Sequence, residues 1–255
     1  FNIPPIHELE ERIAVKKEEL RLEKERQEEK PEKPNAAKQY TFAIKYFEEN
    51  QRIRDLFQRY EMDAEVYNGL TISPYPHQKE ASNWIFSLYR SAIQSNQEVS
   101  GGVLADDMGL GKTFSSLLGM KAILHYAKSQ DQQFGHKSAQ PFEKPFLVVA
   151  PLSLLENWHS EVHKFFNPIP FEDIVVLNDQ SDLNRFRLEK GDEKSQPVTA
   201  DGDITPKSIQ YRLKIGKQFG VDRLDAPGRL ILITYETLRN YQFSMARIPF
   251  SCVIF

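Results

Sequence analysis

Gly101-Gly102-Val103-Leu104-Ala105-Asp106-Asp107-Met108-Gly109-Leu110-Gly111-Lys112-Thr113 decides how this chain is read. An apolar stretch runs into a tight glycine loop, and Lys-Thr then opens a long apolar run, which predicts strand, loop and helix. Gly109 and Gly111 permit backbone conformations and close approaches that a side chain obstructs. Amides of the loop and of the helix N-terminus behind it can then point at an anion. In such a loop Lys112 reaches the β- and γ-phosphates, and the Thr113 hydroxyl binds the Mg²⁺ that accompanies them. The strict G-x-x-x-x-G-K-[ST] pattern has a glycine where Asp106 stands.

Upstream, Pro76-His77-Gln78 opens a helix with Pro in its first turn, and Trp84, Ile85, Leu88, Ala92 and Ile93 predict its apolar face. Downstream, the helix after Thr113 is expected to reach about Ala127, with residues 129–144 a polar insertion. Phe146–Ala150 is a short apolar run of the kind that forms a buried parallel strand. It leads into Pro151-Leu152-Ser153-Leu154-Leu155-Glu156, where Ser153 and Glu156 match a capping box. His159 and His163 lie four apart on the helix that follows, but Ser-Glu-Val between them is not an H-E-x-x-H site, so they read as surface histidines. Ile174–Leu177 and Arg229–Thr234 predict two more strands, separated by a polar insertion over 178–228 with a basic second half at Lys207, Arg212, Lys214, Lys217 and Arg223. Ser251–Phe255 begins a further strand.

Asp-Asp-Met-Gly-Leu-Gly-Lys-Thr resembles motif I of the Swi/Snf-type ATPases, a branch of helicase superfamily two. The segments around Gln78, Ser153 and Thr234 occur in the order of that family's adenine-contacting element, motif Ia and motif Ib. The resemblance covers roughly Ile72 to Phe255 and implies an α/β fold: a RecA-like P-loop lobe with a parallel sheet flanked by helices, preceded by an α-helical N-terminal extension. It assigns ATP binding to Gln78, Asp107, Met108, Gly109, Leu110, Gly111, Lys112 and Thr113, with Lys112 and Thr113 catalytic and Thr113 on Mg²⁺. Ser153 and Thr234 are the implied contacts to a DNA backbone, a role that hydroxyls and helix N-termini suit. The implied activity is ATP-driven movement along double-stranded DNA without strand separation.

In the family the strand begun at Ser251 delivers an Asp-Glu pair, and a second lobe supplies an arginine finger. Both are missing from these 255 residues, so the stretch alone is expected to bind nucleotide weakly and not to turn it over. The alternatives are a strand-separating helicase or restriction-system motor, and a non-catalytic scaffold lobe. His-Gln before the Trp is similar to eukaryotic members. Thr-Tyr-Glu-Thr-Leu-Arg-Asn-Tyr-Gln-Phe-Ser looks more like bacterial ones, some of which act in genome maintenance or anti-phage defence. A bacterial cytoplasm is therefore the favoured setting and a nucleus the alternative.

The domain reading is a charged helical arm over 1–34, a helical extension over 35–68 and an incomplete lobe over 69–255. In the arm Ile6, Ile13 and Leu20 fall seven apart, but Lys16 and Glu23 interrupt the seam, so a solvated helix is expected over a coiled coil. The N-terminal helices are where a protein partner would bind. Thr41–Met62 predicts a second helix, with Phe42, Tyr46, Ile53, Leu56, Phe57 and Tyr60 as its stripe. A net charge of −3 gives no overall nucleic-acid signature, and no apolar run approaches a membrane span. Cys252, the single cysteine, excludes an internal disulfide and reads as a small buried hydrophobe.

Overall fold

The computed structural model describes residues 49, 51–96, 98–99, 101–134, 142–178, 180–188, 194–195 and 209–255. The arm over 1–34, with its interrupted heptad, lies outside the described residues. Two compact units divide at Arg54 and Asp55, and Asp55–Phe255 contains every element labelled below. Residues 51–56 are helical, but 57–63 are not, so the helix expected to reach Met62 stops short.

Helix α1 (Pro76–Gln94) shows why. The Gln58, Tyr60 and Met62 N–H groups donate to Ser91 Oγ (2.9 Å), Ser87 Oγ (2.9 Å) and Asn83 Oδ1 (3.0 Å). Every second residue of an extended strap thus meets every fourth residue of a helix. The rises match, at about 6.6 Å for two extended residues and about 6 Å for four helical ones. The buried face of α1 is therefore Gln78, Ala81, Ser82, Asn83, Phe86, Ser87 and Ser91. The apolar stripe expected from the sequence is only partly covered, with Ile93 exposed.

Helix α2 (Lys112–Phe134) packs beside α1 through small residues: Ser82 Oγ donates to Ser115 O (2.9 Å), and a Cβ on Gly119 would press on Ile85. It runs past Ala127, through the first part of the expected 129–144 insertion. There Asp131 accepts the Phe142 and Glu143 N–H groups at 2.8 and 2.9 Å.

The main sheet holds β1 (Phe146–Val149), β2 (Asp173–Leu177), β5 (Arg229–Ile233) and β6 (Cys252–Ile254) in the order β2-β5-β1-β6, with every pair parallel. Alternate residues feed two cores, as period-two side-chain alternation requires. Phe146, Val148, Leu230 and Leu232 face α2 and α3 (Leu152–Phe165). Leu147, Val149, Ile231 and Ile233 face the other way, onto Leu183, Phe186, Leu213, Leu224, Tyr241 and Met245.

That second core draws in part of the polar insertion over 178–228. Its described part includes α4 (Gln180–Asn184), a short pair β3 (Lys194–Ser195) and β4 (Ile209–Gln210), and a 3-10 stretch at Lys217–Asp222. Leu213 and Leu224 are buried, and an antiparallel bridge joins Arg187 to Leu213. Apolar residues spaced irregularly in a polar segment carry no period, so the sequence alone concealed this face.

A strand at 101–105 was also expected. Residues 101–107 form neither helix nor strand, and Val103 is 85% exposed. An apolar run becomes a strand only by pairing, and among the described residues β6 pairs with β1 alone.

Candidate nucleotide-binding site

The loop stands at the end of the sheet where the strands finish. Lys128 of α2 meets Glu172 (2.7 Å) just before β2, and Asp131 caps the approach to β1, so the far end of α2 lies at the strands' beginnings. A helix of 23 residues spans about 34 Å, which carries its first residue, Lys112, to the opposite end.

Asp106 to Gly111 form an open turn with Met108 96% exposed. Gly109 and Gly111 take φ of +86° and +81°, in the left-handed region that side chains resist. Lys112 folds back over the turn, donating from Nζ to Asp106 O (2.8 Å) and Asp107 O (2.9 Å). The first amides of α2 face the loop without intrahelical partners, as at any helix start.

Gln78 is 8% exposed and braces this loop from the side. Its Oε1 accepts the Tyr75 N–H (3.0 Å), and its Nε2 donates to Leu110 O (3.2 Å). The His77 ring reaches the same carbonyl (3.1 Å) while stacking on Tyr75. A Cβ on Gly111 would collide with Gln78 Nε2. Beside this brace lies a cavity of about 340 Å³ between the strap, α1 and the loop, lined by Phe57, Arg59, His77, Glu80, Ala81, Trp84, Leu104, Asp106 and Leu110. Sequence reasoning missed Phe57 and Arg59, because it placed both on a helix.

Thr113 is half-buried in the first turn of α2. Burial raises the Glu161 pKa above the ordinary carboxylate value, while Lys164 and the Thr113 hydroxyl pull it back.

The two expected backbone contacts differ in kind. Ser153 is exposed on the first turn of α3, which starts at Leu152 with Pro151 as its N-cap. The capping box expected from Ser153 and Glu156 does not form, because the helix begins two residues earlier than that pattern assumes. Thr234 instead caps α5 (Tyr235–Asn240), its Oγ1 accepting the Thr237 N–H at 3.0 Å. β1 and β5 are register neighbours, with Val149 beside Ile233, so both turns leave the same edge of the sheet.

Of the basic residues in the insertion, Lys207 lies outside the described residues and Lys214 is tied to Arg185 O (2.7 Å). The His163 ring contacts the His159 carbonyl at 2.9 Å, and among the described residues no group of three metal-ligating side chains gathers. No helix among the described residues is long and apolar enough to cross a membrane.

The SNF2-related domain family matches residues 77–254, a span that takes in Gln78, the loop and both strand-to-helix turns. Zorya protein ZorD of Escherichia coli O139:H28 is 32% identical over 178 residues, 70% of this chain and 14% of that protein. Chromatin-remodeling ATPase INO80 of Aspergillus clavatus is 36% identical over 154 residues, 58% of this chain and 7% of that protein. Its Candida albicans namesake is 33% identical over 159 residues, 60% of this chain and 10% of that protein. The chain spans about a seventh or less of the length of these relatives.

Proposed function

The chain belongs to the SNF2-related domain family of ATP-dependent remodellers and translocases, and on that premise we propose that Asp55–Phe255 is the nucleotide-holding part of a motor moving along double-stranded DNA. The observation that carries this reading is the turn at Gly109–Thr113, with two left-handed glycines, a lysine folded over it and a helix start behind it.

ATP with Mg²⁺ fits the residues present. A Cβ at Gly109 would meet only open space, so an anion can approach the loop amides there. The Lys112 ammonium is held by backbone carbonyls, and an ionised phosphate is a stronger partner than a neutral carbonyl. Lys112 would therefore swing from Asp106 and Asp107 to the phosphates, and Thr113 would hold Mg²⁺. Bound ATP supplies the phosphoryl group whose transfer to water drives the motor.

The cavity beside α1 suits a base, since Phe57 and Trp84 line it with aromatic surface and Arg59 and Glu80 add polar groups. Gln78 Nε2 spends one of its two protons on Leu110 O, so a base bonded by the other would be linked to loop geometry.

At the same edge of the sheet, Ser153 offers a hydroxyl to a phosphate backbone. Around Thr234 the free groups are backbone amides, because its hydroxyl already caps a helix. In the whole protein, as the family resemblance implies, a second lobe would close on this one and stabilise the charge of the transferring phosphoryl group. The Escherichia coli relative covers more of the chain than the fungal ones do, which supports a bacterial setting. Genome maintenance or defence against phage is the role proposed there.

Binding of a fluorescent ATP analogue tests the site. Lys112→Ala should weaken it at least tenfold, and equal binding by the variant, or none by the unaltered chain, would refute the reading. Triplex displacement without duplex unwinding by the whole protein would separate a translocase from a strand-separating helicase.

A further inference from the structure

The cavity beside the loop is built from two parts of the chain that are held together unevenly. Phe57 and Arg59 of the strap supply one wall, and α1 and residues 104–110 supply the rest. In an extended chain alternate side chains share a face, so the strap turns both toward the cavity while the Gln58, Tyr60 and Met62 N–H groups go to α1. The grip loosens along the strap. Met62 is 8% exposed and its hydrogen bond to Asn83 is buried, whereas those of Tyr60 and Gln58 to Ser87 and Ser91 are half-buried.

Arg59 also meets Glu80 of α1 at 3.1 Å, but both side chains are mostly exposed, and a pair of that kind contributes little. Partly solvated hydrogen bonds with few buried apolar contacts mark the parts of a fold that open locally. The strap is thus hinged at Met62 and frays from its Phe57 end, and fraying removes one wall of the cavity. We propose that strap docking and nucleotide binding are linked: a base in the cavity, touching the strap on one side and α1 on the other, holds the strap down, and a docked strap tightens the hold on the base. Such a linkage acts equally in both directions. It rests on the reading of the loop as a nucleotide site with the base beside α1.

The probes are ATP and inorganic tripolyphosphate, each with Mg²⁺, titrated calorimetrically into the chain. Tripolyphosphate brings phosphates to the loop but no base to the cavity. Ser87→Ala combined with Ser91→Ala removes two acceptors of the strap and leaves the loop untouched. The pair of changes should weaken ATP binding about tenfold, an ordinary coupling factor, and leave tripolyphosphate binding as it was. A second measurement needs no variant. Trypsin cleavage after Arg59, followed by mass spectrometry, should slow in saturating ATP and not in saturating tripolyphosphate.

The linkage would be overturned by unchanged ATP binding in the folded double variant, by equal losses for the two probes, or by cleavage after Arg59 that is absent or indifferent to ATP. Each of these leaves the nucleotide site standing. An unaltered chain that binds ATP no better than tripolyphosphate would instead overturn the placing of a base in the cavity, and one that binds neither would overturn the nucleotide site itself.

Discussion

Gly109 and Gly111 share a left-handed backbone but not a neighbourhood. A Cβ at Gly109 meets open space, whereas one at Gly111 runs into the Gln78 amide that braces the loop. Gly109→Ala should therefore cost only the left-handed strain, about 1–2 kcal/mol. Gly111→Ala adds the loss of the link from Gln78 to Leu110, and should melt at a distinctly lower temperature in a thermal scan. Equal melting points would mean that the brace contributes nothing. The glycines and Lys112 were legible as a loop because the requirement for positive φ is written in residue type. That Gln78 holds the loop was not, since an amide's partner is a tertiary matter.

Turns that look alike in sequence do different work as elements. Thr234 caps α5, so Thr234→Ala should destabilise the fold by about 1 kcal/mol in urea denaturation. Ser153 caps nothing, and Ser153→Ala should stay within about 0.5 kcal/mol while weakening DNA binding by the whole protein. A reversed order of the two stabilities would show the capping assignment to be wrong.

The strap at 57–63 makes a separate demand on α1. Ser87 Oγ accepts the Tyr60 N–H and donates to Asn83 O (2.7 Å), within a helix face that is buried. Ser87→Ala leaves a half-buried backbone donor without its partner and should cost about 1–3 kcal/mol. An unchanged denaturation midpoint would rule the strap out as an ordered part of the fold. Its apolar residues fell on a helical period by coincidence, and only the hydrogen bonds to α1 select the extended form.

At the scale of the molecule the parallel sheet is sandwiched between two cores, and its edges differ. At the β2–β5 end Arg229, 4% exposed, pairs with Asp173 at 2.9 Å. At the other edge Cys252 of β6 is only partly buried as a residue, while its side chain packs on the core under α2. Burial of that thiol pushes its pKa up to about 11.

The thiolate is the reacting species, so iodoacetamide should modify native Cys252 about a hundredfold more slowly at pH 8 than a free thiol of pKa about 8.5. The rate should climb about tenfold per pH unit toward the raised pKa. Because the folded chain holds this proton more tightly than the unfolded one, Cys252 favours folding below pH 9 and loses that contribution as pH rises toward 11. Modification at pH 8 as fast as that of the unfolded chain would contradict this burial.

The sequence by itself determined the loop, the strands β1, β2 and β5, and the order of the turns that follow them. Each of those is local: a glycine's φ, an apolar run, a strand-to-helix junction. Tertiary structure decided what depends on neighbours distant in the chain. The stretch 101–105 lacks a described pairing partner and stays unpaired. Residues 57–63 extend because α1 offers them a ladder of Asn and Ser side chains. Leu213 and Leu224 turn a polar insertion into half of a core. Pairing and packing are properties of surfaces that meet, and no single stretch of residues carries both.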